Sequence, residues 1–119
     1  MRKMMSLFAF GACLAGASVV NAHPASQIEA SFDPAKRVLA ASITHQVGDP
    51  VKHYIDKVDI TLNGRAIIGQ SISRQDNNVG QAVSYLIPDV KDGDVLAVDT
   101  NCNKGGKLKK EIVVRMTGL

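Results

Sequence analysis

His23, His45, His53 and Cys102 are the side chains in this sequence best equipped to do chemistry. Imidazole and thiolate are the donors that suit iron, copper and zinc, so a metal centre is the first chemistry to consider. No paired Cys-x-x-Cys or similarly tight motif brings two of them together locally, and only the fold can assemble them. Taken singly, each has an ordinary explanation. A loop histidine is usually a solvated side chain, His23 can be a frayed end, and Cys102 can be a small buried residue at a strand end. Four such residues at one pole of a small domain shift the reading toward metal.

What must position them is a domain that begins at His23. Residues 1–22 start with Arg2-Lys3, continue as a largely apolar run from Met4 to Val20, and end Val20-Asn21-Ala22. A basic start, an uncharged apolar stretch and small residues before a cut are the layout of a secretory signal peptide. The run is marginal for a bilayer span and rich in small residues, which favours cleavage over a transmembrane anchor. Residues 1–22 are therefore expected to be an export signal and 23–119 the mature domain, periplasmic or secreted. Cys13 leaves with the signal, and Cys102 is left without a disulfide partner in its own chain. A lone thiol outside the cytoplasm is buried, paired between chains or bound to metal.

Removal of Arg2 and Lys3 lowers the basic excess from 14 against 11 to nearly balanced. A near-neutral surface with 4% aromatic residues predicts no nucleic-acid partner, and no membrane partner after cleavage. Lys104, Lys107, Lys109 and Lys110 form a local exception that a solvated strand edge explains as well as a docking patch does.

Turn signals recur every eight to twelve residues of the mature chain, the punctuation of an all-β sandwich or barrel. The alternation predicts strands over 27–32, 37–44, 54–62, 66–73, 81–87, 94–100 and 108–114. Leu39, Ala41 and Ile43 make one face against Val38, Ala40 and Ser42, and Val58, Ile60 and Leu62 oppose Ile55, Lys57, Asp59 and Thr61. Turns at Asp33-Pro34, Asn63-Gly64 and Pro88–Gly93 close one end of alternately running strands. Strand parity then puts the start of the domain and the 44–53, 74–80 and 101–107 loops together at the other end. The expected fold is an immunoglobulin-like antiparallel sandwich of about seven strands, with all four candidate ligands at one pole. The Gly48-Asp49-Pro50 turn is expected to fold His53 back beside His45.

The segment from His45 through Gly48-Asp49-Pro50-Val51-Lys52-His53-Tyr54-Ile55, with the later Cys102-Asn103-Lys104-Gly105-Gly106, resembles the iron domain of desulfoferrodoxin and the superoxide reductases. The resemblance spans roughly His23 to Val114. It implies an immunoglobulin-like sandwich carrying mononuclear non-haem iron, held by four equatorial histidines and an axial cysteine thiolate. His45 and His53 match the central histidine pair, Cys102 the axial cysteine, and His23-Pro24 the early histidine. Lys52 matches the lysine that attracts superoxide. Gly105 stands where the family has its fourth histidine, and Val51 where it has a loop glutamate. The loop between His45 and His53 is also longer. No four-cysteine rubredoxin-like domain is present in the sequence, so the resemblance implies an external electron donor. If the signal is cut after Ala22, the free amine of His23 is a candidate for the vacant fourth position.

The reading that follows is an exported, superoxide reductase-like iron protein that reduces superoxide to peroxide. Two others stand beside it. One is a non-catalytic metal-binding module, since a three-histidine and thiolate site also suits copper or zinc. The other is a metal-free interaction subunit. His53-Tyr54-Ile55 and Asn63-Gly64 are similar to the small sandwich subunit that partners the carrier protein in bacterial thiosulfate oxidation. That subunit needs no cysteine, and Cys102 points away from it.

Overall fold

A computed structural model describes residues 23–116, and the expected export signal over 1–22 lies outside the described residues. Seven strands follow one another: β1 (Gln27–Asp33), β2 (Val38–Thr44), β3 (Ile55–Leu62), β4 (Arg65–Ser71), β5 (Gly80–Leu86), β6 (Val95–Cys102) and β7 (Lys107–Val113). They form two antiparallel sheets ordered β1-β2-β5 and β4-β3-β6-β7. This is the all-β, immunoglobulin-like sandwich that the turn spacing predicts.

Each strand buries the face its alternation marks. Leu39, Ala41 and Ile43 of β2 face Val58, Ile60 and Leu62 of β3 and Leu96 and Val98 of β6, all buried. Full burial of each Leu, Ile or Val contributes about 1.5–3 kcal/mol, so this layer is the main source of stability. Ile55 departs from the expected alternation. A bulge between Ile55 and Lys57 turns Ile55 off the solvent face, and it packs in the core at 0% exposure.

The turns sort by pole as parity requires. Asn63 and Gly64 both take positive φ, 51° and 84°, the primed geometry that suits a two-residue hairpin. Asp33 accepts hydrogen bonds from the backbone N–H groups of Ala35 and Lys36, and Arg37 donates to the carbonyls of Pro88 and Val90. Arg37 sits in the turn at φ 57° rather than opening the second strand. Cys102 was expected to open the last loop, but it is the final residue of β6 and pairs with Ile55. The strand runs on because Ile55 is brought to the core side and its ladder position is filled. That puts the thiol on a rigid element instead of a loop.

Candidate metal centre

The four candidate ligands come from four separate segments. His23 precedes β1, His45 follows β2, His53 precedes β3 and Cys102 ends β6. The 45–53 loop is folded back by Asp49, whose carbonyl accepts from the N–H groups of Lys52 and His53 and whose side chain accepts from the Val51 N–H. Asn103 clamps the cysteine turn to that loop. It donates to the Lys52 carbonyl at 3.0 Å and accepts from the Tyr54 N–H at 2.9 Å, while its own N–H donates to the Tyr54 carbonyl.

The three imidazoles form a nearly equilateral triangle. Their ring centroids are 4.7 Å (His23–His45), 4.8 Å (His23–His53) and 4.9 Å (His45–His53) apart. One ligand nitrogen from each lies within 4.8 Å of the others, so the three could hold a metal ion. Cys102 joins through His53, whose Nε2 lies 3.2 Å from Sγ. His45 and Cys102 are buried and His23 and His53 half-buried, so the cluster is closed from beneath and reachable from one side.

Proton positions follow from the hydrogen-bond partners. His23 Nδ1–H donates to the Pro24 carbonyl at 3.0 Å, leaving Nε2 as the bare nitrogen. His45 Nδ1 lies 2.8 Å from the side-chain oxygen of Gln75, and its Nε2 lies 3.2 Å from the His23 carbonyl oxygen. With the proton on Nδ1, two lone-pair-bearing atoms face each other there, a contact that a cation relieves. His53 is held below its ordinary value of 6.5 by burial first, then by His45, His23 and Lys104. It is therefore neutral near pH 7, as a metal ligand must be. The Lys104 N–H points at Cys102 Sγ from 3.4 Å, a donor suited to stabilising a thiolate.

The three imidazoles could hold a single transition-metal ion, and the buried Cys102 thiol reaches the cluster at His53. Gly105 adds no donor. It is exposed at φ +114°, a conformation that side-chain-bearing residues rarely adopt, so the turn itself is built for glycine. Val51 is 52% exposed and apolar, with nothing to offer a metal. The amine that cleavage after Ala22 would free on His23 meets an obstacle as the fourth donor. The Nδ1 that would close a chelate with it is engaged by Pro24 in this arrangement, and the ring would have to turn over.

Lys52 is exposed on the segment that carries His53, its backbone fixed by Asp49 and Asn103. The site also rests on Gln75 and on a seating role for Gly106, neither of which the sequence marks. Gln75 is fully buried against His45, and in the sequence it is only a single polar residue among loop residues. Gly106, at φ +107°, packs so tightly on Pro24 that an added Cβ would lie 2.7 Å from the proline nitrogen.

No protein-family model matches this chain, and no curated protein matches it. Among solved structures, the superoxide reductase (1Fe-SOR) from Giardia intestinalis matches with a TM-score of 0.57 over 73% of this chain and 95% of that one, at 16% identity. The two share a fold. At that identity the likeness shows the fold alone, and the chemistry rests on the residues described above.

Proposed function

We propose that this chain is an exported mononuclear iron protein that reduces superoxide to hydrogen peroxide. His23, His45, His53 and Cys102 would hold the metal. The observation that carries the reading is the convergence of three imidazoles and one thiol, from four segments, at one pole of a fold shared with a superoxide reductase. Ferrous iron would supply the one electron that, with two protons, converts superoxide to hydrogen peroxide, and an external donor would restore it. The Lys104 ammonium acts on His53 and Lys52 is exposed next to it in sequence; their positive charge would draw the anion in by electrostatic steering. Cys102 has the Lys104 N–H to stabilise its thiolate form.

Gly105 favours a second reading. With no fourth histidine at that turn, a non-catalytic module for copper or zinc accounts for the same four ligands. Superoxide decay followed by pulse radiolysis with the iron-loaded protein separates the two. The enzyme reading expects rapid second-order consumption that slows by roughly tenfold in Lys52→Glu, and slows with salt in the wild type. Bound metal with no acceleration of superoxide decay would leave the handling module.

A further inference from the structure

We infer that Gln75 is a positioning residue that fixes the tautomer of His45, holding its Nε2 bare and turned into the histidine cluster. The consequence for metal binding rests on the metal-centre reading above; the tautomer does not.

Gln75 is a fully buried amide from the loop between β4 and β5, and its orientation is determined by what surrounds it. Its nitrogen donates to two carbonyls, those of His45 at 2.8 Å and Asn77 at 3.0 Å. Its oxygen accepts the Ile55 N–H at 3.2 Å. Turning the amide over would set its NH2 against an N–H and its oxygen against two carbonyl oxygens, losing every one of these bonds in a site without solvent. The oxygen is thus committed as an acceptor, and it lies 2.8 Å from His45 Nδ1. Nδ1 must carry the proton and donate. Because the His45 ring is itself fully buried, water offers it no alternative partner.

The other face of the ring shows why this matters. His45 Nε2 lies 3.2 Å from the His23 carbonyl oxygen, an acceptor that would welcome an N–H from the opposite tautomer. That tautomer would put a proton on the nitrogen facing the cluster and block it as a ligand. Gln75 offers the shorter contact on the Nδ1 side and tips the balance. The hydrogen-bond partner on the far nitrogen of a ligating histidine sets its tautomer, its direction and its basicity in this way. The same residue reaches the residues around His53, since the Gln75 backbone N–H donates to the Pro50 carbonyl and its side-chain oxygen accepts the Ile55 N–H.

The test is long-range 1H–15N correlation on the metal-free protein at a pH where the histidines are neutral. Wild type should show His45 with Nδ1 protonated and Nε2 bare. Gln75→Leu should move His45 toward the Nε2–H form and weaken binding of added iron or zinc by about 10- to 100-fold. An Nε2–H form of His45 in the wild type would overturn the inference, even if Gln75→Leu failed to fold. So would a folded Gln75→Leu protein with an unchanged tautomer. If the wild type shows the expected tautomer but binds no metal, the metal-centre reading fails and the role of Gln75 in setting the ring stands.

Discussion

At His53, burial, two neighbouring imidazoles and the Lys104 ammonium all oppose a proton. A histidine lowered in this way binds its proton more weakly in the folded chain than in the unfolded one. The metal-free protein therefore keeps this part of its stability above pH 6.5, the ordinary value, and loses it as the pH falls through the lowered one. The expected outcome is a thermal midpoint that declines on acidification from about pH 6.5 downward, with a shallower decline in His53→Gln. An identical acid slope in the variant would contradict the assignment. His23, His45, His53 and Cys102 stand out in the sequence by type alone, because imidazole and a lone thiol are the donors that suit transition metals. Gln75 was not legible, since a glutamine among polar loop residues acquires its role only through contacts from three distant segments.

Among the elements, the hairpin between β6 and β7 does the most to define the site. Its Cys102 N–H donates to the Gly106 carbonyl, the Gly105 N–H donates to the Cys102 carbonyl, and Asn103 ties the turn to the His53 segment. Gly106 also forms the seat on which Pro24 rests, and through Pro24 it sets the position of His23. A methyl group there meets backbone rather than a movable side chain, and φ +107° is unfavourable for alanine. Gly106→Ala should therefore weaken metal binding by at least about tenfold, measured by competition with a chromophoric chelator, with loss of the His23 contribution. Wild-type affinity in that variant would contradict the seating of His23. The alternation and turn residues made these elements legible nearly to their ends. The exceptions have physical causes. The bulge that buries Ile55 is an extra residue that a period of two cannot register. The extension of β6 through Cys102 depends on a partner in β3, which local sequence does not contain.

For the whole molecule, two sheets joined by a core of aliphatic residues carry the ligands on separate segments at one pole. Parity of seven alternating strands was enough to foresee that pole, because it depends on the number of strands and not on their packing. Distances within the cluster required the packed structure. A metal ion bound at this cluster would be coupled to the fold. An ion held by four segments binds the native state and not the unfolded chain, so at 100 times its dissociation constant it adds about 2.7 kcal/mol. For a domain of this size that raises the thermal midpoint by roughly ten degrees or more, measured by calorimetry with and without chelator. An unchanged midpoint would mean that the four segments do not grip a common ion.

The central claim is that these four residues make one metal centre, and metal content tests it most directly. Purified protein should be assayed by mass spectrometry beside the Cys102→Ser variant. The account predicts about one iron per wild-type chain and a marked loss in the variant, because the thiolate is the donor that serine cannot replace. Copper or zinc in that ratio would keep the centre and assign it to metal handling. Wild-type protein without any transition metal would contradict the account.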